Sequence, residues 1–216
     1  GLILPPKIAK HQVVILPVIH KPELKEKILS YCEKLKEDLD KQSFLGDLIS
    51  TSIDKRDMRG GEKKWDNIKK GVPLIIEIGP KEVENKKIFY IKRDDLSKKC
   101  EPMEYDNFVK NVSSILEDLQ KTLYEKAKVF QETHSKNIDT KEEFYKYFTP
   151  KNKNKPEIHA GFAYAHFCLD SEIEEKIQKE LGVTVRCIPD HLPSEEGKCI
   201  FTGKVSKKRV LFAKAY

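Results

Sequence analysis

The run Gly71-Val72-Pro73-Leu74-Ile75-Ile76-Glu77-Ile78-Gly79-Pro80-Lys81 constrains the fold of this chain more than any other. Its centre, Pro73–Ile78, is apolar and β-branched apart from one acid, and a Gly-Pro break ends it. An apolar run without alternation reads as a strand covered on both faces. A second such run, Val13–Ile19, follows Gln12 and is closed by His20-Lys21-Pro22. Between them Leu24, Ile28, Tyr31, Cys32, Leu35 and Leu39 recur every three or four positions, which predicts a helix over residues 23–41. Buried strands alternating with helices imply an α/β sandwich with a mixed sheet.

Further strands are expected near Leu48–Ile53 and Ile88–Ile91, with a polar turn over Lys81–Lys87. A long amphipathic helix is expected from Tyr105 to Val129, with Val109, Val112, Ile115, Leu116, Leu119, Leu123 and Ala127 on one face. The segments His134–Lys141 and Thr149–Pro156 are polar and lysine-rich and read as linker, which puts a boundary near residue 133. Beyond it a smaller α+β unit is expected. It holds a helix over Ser171–Leu181 stopped by Gly182, then strands over Val183–Ile188, Lys198–Phe201 and Arg209–Ala213.

The 216 residues are long enough for one large domain or two modest ones. At 38% hydrophobic and 35% charged, the chain is too apolar for disorder, and no apolar run approaches the ~20 residues of a bilayer span. The formal charge of +6 permits a polyanionic partner without requiring one. Cys32, Cys100, Cys168, Cys187 and Cys199 are irregularly spaced, which fits reduced thiols in the cytoplasm and not a disulfide framework.

Chemistry concentrates between Asp54 and Lys70. Lys55, Arg56, Arg59, Lys63, Lys64, Lys69 and Lys70 surround Gly60-Gly61 and Trp65. Glycines let a loop approach a ligand closely, and basic side chains suit phosphate oxygens. Trp65 is expected to pack against the sheet; stacking on a splayed base is the alternative. No Walker loop, dinucleotide fingerprint or nucleophile elbow is present, so no catalytic residue is expected. His159 and His166 read as core or surface histidines, and the pairs Asp94-Asp95 and Glu142-Glu143 as solvated.

These features resemble the anticodon-binding domain and C-terminal extension of prolyl-tRNA synthetase in its archaeal and eukaryotic form. Arg56-Asp57, Gly61-x-Lys63, Lys70-Gly71-Val72-Pro73 and Glu77-Ile78-Gly79-Pro80-Lys81 carry the likeness, with the closing Lys208–Tyr216. The resemblance implies a class II synthetase anticodon-binding domain, a mixed sheet flanked by helices, over residues 10–132. A small α+β domain follows over 133–216, and residues 1–9 are similar to the passage just after the last catalytic motif. It also implies tRNA(Pro) as partner, a class II catalytic domain in the same polypeptide, a homodimer, and ATP with Mg²⁺ for the intact enzyme. Within this stretch no cofactor is expected. Lys81 is implied as the foremost RNA contact, at guanine or phosphate, with Lys70, Lys63 and Arg56 as backbone positioners or supports of the fold. Tyr216 is implied either to reach the catalytic domain or to end a sheet edge.

The sequence also departs from the pattern. A family Glu falls on Ile68, its neighbouring Trp on Asn67, and a basic mid-strand residue on Ile75. A lost polar base contact costs ~1–3 kcal/mol of discrimination, so relaxed anticodon dependence is expected. The family's zinc site, Cys-x₄-Cys with Cys-x₂-Cys, keeps Cys168 and Cys199 but places Ile173 and Thr202 at the partner positions. His166, Cys187 and His191 stand near enough in sequence to rebuild it, yet zinc is not expected, and Cys168 and Cys187 are read as small buried hydrophobes. The alternatives to part of a proline–tRNA ligase are a stand-alone RNA-binding or regulatory module and a purely structural dimerisation element.

Overall fold

The computed structural model describes residues 1–94, 96, 102–152, 154, 161–190 and 192–215. The chain divides into two compact units, Gly1–Lys126 and Ala127–Tyr216, with the division inside a long helix.

The first unit contains, in order, β1 (Val13–Pro17), α1 (Lys25–Asp40), a hairpin of β2 (Ser43–Phe44) and β3 (Asp47–Leu48), and β4 (Thr51–Ile53). Then come α2 (Gly60–Lys69), β5 (Leu74–Ile78), α3 (Pro80–Asn85), β6 (Lys87–Lys92), β7 (Met103–Glu104) and α4 (Tyr105–Thr133). The strands form a mixed sheet of order β4-β1-β5-β6-β7. β1 pairs in parallel with β4 and β5, and β6 runs antiparallel to β5 and β7.

Alternation along the two central strands assigns their faces. Val13, Ile15, Leu74, Ile76 and Ile78 meet Ile28, Cys32, Leu35 and Leu39 of α1 and Phe108, Val112, Leu116 and Leu119 of α4 in one apolar core. Burial there pushes the Cys32 thiol up to about 12, so it stays protonated. Val14, Leu16 and Ile75 point the other way, against Ile68 and Val72. The expected polar turn over Lys81–Lys87 is in fact α3 with β6 beginning at Lys87. Glu82 Oε2 accepts the Gly79 N–H at 2.9 Å, satisfying a donor at the start of that helix.

The second unit adds β8 (Ser135–Asn137), α5 (Lys141–Phe148), β9 (Phe162–His166), α6 (Ser171–Leu181), β10 (Val183–Cys187), β11 (Gly197–Lys198), β12 (Val205–Ser206) and β13 (Arg209–Lys214). Its main sheet has the order β10-β13-β9-β8, antiparallel except for β8 with β9. Phe144, Phe148, Ala163, Phe167, Ile177, Val210 and Phe212 fill the core. Gly182 stops α6 with φ +67°, and its N–H reaches the Gln178 carbonyl at 2.9 Å, as its sequence position predicts.

The segment His134–Lys141, read from sequence as linker, contains β8 and the first residue of α5, a helix that sequence did not predict. The Thr140 hydroxyl accepts the Glu143 N–H at 3.2 Å to start α5, and Phe144 and Phe148, one turn apart, are fully buried. The strand expected over Lys198–Phe201 shortens to Gly197–Lys198, because Ile200 and Phe201 turn into the core cluster.

Candidate nucleic-acid interface

α2 lies on the face of the first sheet opposite α1, and its stripe decides what the surface offers. Lys63, Asn67 and Ile68 are buried; Trp65 and Lys69 are exposed. Two residues along a helix rotate by about 200°, so burying Lys63 turns Trp65 outward. Trp65 is 61% exposed, beside Met58, Arg59, Gly61, Glu62 and Lys69. The packing expected for it is therefore corrected.

The loop before α2 is held by a network around Asp54. Arg56 donates from Nε at 2.8 Å and from a terminal nitrogen at 2.7 Å to the two Asp54 carboxylate oxygens, and from its other terminal nitrogen to Asp66 at 2.8 Å. Asn67 Nδ2 donates to Asp54 at 3.0 Å and to the Lys63 carbonyl at 2.8 Å. The Arg56 contact, with support from Asn67 and the Arg56 N–H, holds the Asp54 carboxyl down at about 2. Lys63, 8% exposed, turns its Nζ to the Asp54 carbonyl at 3.4 Å.

The four basic residues singled out in the sequence thus separate. Lys63 is inside and Arg56 spans two aspartates; both brace the loop. Lys70 is exposed at the end of α2 and shares with Arg56 a cavity of about 440 Å³. Gly71 follows with φ +80°, and a Cβ there would come within 2.9 Å of Leu2 and Leu4, so glycine is required where the chain turns into β5. Lys81, exposed on α3, borders a different pocket of about 590 Å³.

That second pocket opens where the central strands end. Val18, His20, Glu77, Lys81, Phe89 and Tyr90 line it, with Lys64 from α2. Lys64 Nζ is 3.3 Å from Glu77 Oε2, and the two side chains are 32% and 39% exposed. Phe89 faces Glu77 across the β5–β6 pair and is 44% exposed. Sequence reading placed Glu77 in a motif but gave it no role, and passed over Phe89 and His20. Strand alternation was the available signal, since Glu77 shares the face of Ile75 and Phe89 is its cross-strand partner. Ile68 and Ile75 are 5% and 1% exposed and pack with Val14, Leu16 and Val72. The five side chains form one apolar patch.

In the second unit the four zinc positions do not fit a metal. Thr202 Oγ1 is 3.5 Å from Cys168 Sγ, and Ile173 packs against the core. Burial raises the Cys199 thiol, but hydrogen bonds from the Thr202 hydroxyl and the Phe201, Thr202 and Cys168 backbones outweigh it and leave it lowered. His166 is buried with Nδ1 at 3.2 Å from Ser206 Oγ and Nε2 at 3.8 Å from Glu195. Cys187 is exposed at the end of β10, not buried as expected, because it follows the bulge between Val185 and Cys187. Among the described residues, no three His, Cys, Asp or Glu side chains gather as metal ligands. Asp94 also departs from the solvated reading: its side chain is 9% exposed and sits 3.8 Å from Lys126 Nζ. Cys100, Asp95, His159, His191 and Tyr216 lie outside the described residues. No described helix is long and apolar enough to cross a membrane.

Comparison with known proteins matches residues 12–115 to the anticodon binding domain and residues 152–216 to the prolyl-tRNA synthetase C-terminal domain. Over its full length the chain is 43% identical to proline–tRNA ligase 2 of Anaeromyxobacter dehalogenans and 44% identical to proline–tRNA ligase of Protochlamydia amoebophila. It is 37% identical to the proline–tRNA ligase of Bdellovibrio bacteriovorus. The chain spans about 43% of the length of the first two relatives and 42% of the third. These relatives are bacterial, so the archaeal and eukaryotic form expected from sequence is not borne out. The chain carries, over residues 12–115 and 152–216, the anticodon-binding and C-terminal domains of the prolyl-tRNA synthetase family.

Proposed function

We propose that this chain holds the anticodon arm of tRNA(Pro) for a proline–tRNA ligase. The observation that carries the reading is the alignment of the whole chain, both domains included, with proline–tRNA ligases. A class II catalytic domain of the same polypeptide would activate proline with ATP and Mg²⁺ and pass it to the tRNA 3′ end. The part played by this chain is positioning: a gripped anticodon fixes where the acceptor end arrives. The intact enzyme would work as a cytoplasmic homodimer. Lys81 and Lys70, both exposed, are the basic residues best placed to meet RNA; Lys63 and Arg56 keep the loop between them in shape.

The test is binding of this chain to tRNA(Pro) transcript across a salt series, with the native anticodon and with both anticodon guanines replaced. Affinity should fall with salt, and Lys81→Ala should flatten the logarithmic slope by about one phosphate contact, ~0.7–0.9. No salt-dependent binding to any transcript would reject the reading.

A further inference from the structure

We propose that the cavity beside α5 in the second unit binds a ligand through two neighbouring phosphate groups, with Lys146 and Lys214 as the principal contacts. The site belongs to the second unit alone and rests on nothing in the anticodon reading.

Strand register puts charge on a face that is otherwise apolar. Lys136 of β8 and Phe212 of β13 both pair with Ala163 of β9, so the three lie on one side of the sheet. Lys214, two residues beyond Phe212, is on that side too, and its cross-strand partner Val183 is fully buried in the core. This is the side that α5 covers, where the Phe144 and Phe212 rings meet at 5.0 Å between centroids. The apolar cover gives way around Phe148, Thr149 and Pro150, beside a cavity of about 480 Å³. Lys136, Lys146, Lys151 and Lys214 line it, drawn from two strands, the helix and the segment after it.

The charge in this cavity is unbalanced. Glu143 is the one acid among the described residues that line it, and Lys136 Nζ already holds it at 2.5 Å. Tyr147 adds no negative charge: burial pushes its phenol up, and its hydroxyl donates to the His134 carbonyl at 2.9 Å. Lys146 and Lys214 have no ion-pair partner among the described residues. A cation in the last turn of α5 meets the negative end of the helix dipole, which accounts for Lys146. It does not account for Lys214, a half-buried lysine on the side of the sheet that carries the core.

The arrangement selects the class of ligand. Ammonium groups are compact charges with three donors each and suit phosphate oxygens. Neighbouring strands lie about 4.8 Å apart, so β8 and β13, with β9 between them, hold Lys136 and Lys214 roughly 10–12 Å apart at the backbone. Flexible stems can close that span on two phosphate groups; a single carboxylate is too short to engage both ends. The volume falls within the range of small-ligand clefts, about 300–1,000 Å³, and leaves room for the group that carries the phosphates. Two sources share this chemistry: the terminal phosphates of a free nucleotide and successive backbone phosphates of RNA.

The probe is inorganic pyrophosphate, titrated calorimetrically into the 216-residue chain at low salt. Wild type should bind it at one site with millimolar affinity or tighter. Lys146→Gln combined with Lys214→Gln should weaken binding by about tenfold or more, since two charge-assisted contacts are lost. Lys176→Gln, at an exposed lysine of α6 in the same unit, should leave it unchanged. Arginine at both positions keeps the charge and should keep most of the affinity, which separates lost charge from lost fold. Should the double glutamine variant not fold, Lys146→Gln alone, at an exposed helix position, carries the test. A salt series with tRNA(Pro) then assigns the source. A logarithmic slope flattened by ~1.4–1.8 in the double glutamine variant, two phosphate contacts, identifies RNA backbone; an unchanged slope identifies a free nucleotide. Equal pyrophosphate affinity in wild type and the double glutamine variant would overturn the site, as would no binding to wild type. Neither result depends on whether the first unit reads an anticodon.

Discussion

The two faces of the β1–β5 sheet are built from neighbouring residues of the same strands and end up with different work. Ile76 looks into the core shared by α1 and α4; Ile75, one residue earlier, looks towards α2. On the first face each position is apolar out to Ile78, and two long helices cover it. On the second the apolar cover is a patch of five residues that gives way at Glu77 to a lysine, an exposed phenylalanine and a pocket. A face closed along its whole length stabilises; a face closed along half its length stabilises there and leaves the remainder for a ligand.

The largest expected effect tests whether the α2 side is truly a core. Ile75→Arg buries an unpaired charge among Val14, Leu16 and Ile68. It should cost about 3–5 kcal/mol in urea denaturation. Adding Ile68→Glu should return part of the loss, with a coupling of about 1–3 kcal/mol in the double-mutant cycle. Strict additivity would mean that positions 68 and 75 do not act as a pair.

Next comes the covered face. Ile76→Ala opens a cavity between α1 and α4 and should destabilise by about 2–4 kcal/mol, with tRNA affinity of the folded fraction unchanged. A change in guanine discrimination in this variant would erase the separation of the two faces.

The Asp54 network, which shapes the loop before α2, should matter less. Its carboxyl is lowered from 3.8 to about 2, chiefly by Arg56. A shift of that size is worth about 2 kcal/mol, and solvent screening at half-exposed Arg56 brings it to about 1–2. A depressed carboxylate stabilises fully above its unfolded value, so this contribution is present above about pH 4 and lost as pH falls through 2. Asp54→Asn should therefore be less stable than wild type at pH 7, and the gap should close between pH 4 and 2. A gap independent of pH would assign the loss to Asn67 and loop geometry instead.

How far the sequence already showed this division depends on how concentrated each signal is. β1, α1, β5 and α6 were legible because their apolar residues recur at one period without interruption, and Gly182 marks its helix end without ambiguity. α5 was not, since Phe144 and Phe148 are diluted by Lys141, Glu142, Glu143 and Lys146, and only the Thr140–Glu143 cap marks its start. The basic cluster could be found as composition but not sorted. Whether Lys63 is a contact or a brace depends on which side of α2 it occupies, which follows from the Asp54 and Asn67 contacts. The Glu77 pocket draws on α2, β5 and β6 together, and no local window of sequence contains all three.

The smallest effect on stability, and the sharpest check on the outer side of α2, belongs to Trp65. Because the indole is 61% exposed and points away from the sheet, Trp65→Ala should change unfolding stability by no more than about 0.5 kcal/mol. It is the single tryptophan of the chain, so its fluorescence reports on that side of α2 alone. The emission of the free protein should be that of a water-exposed indole. If α2 lies within the RNA footprint, adding tRNA(Pro) should quench or blue-shift that emission, with a midpoint that follows the salt-dependent affinity. An unchanged spectrum at saturation would confine the contact to the Glu77 end of the face. A loss of several kcal/mol on Trp65→Ala would instead show the indole packed, and would remove the open half from the comparison.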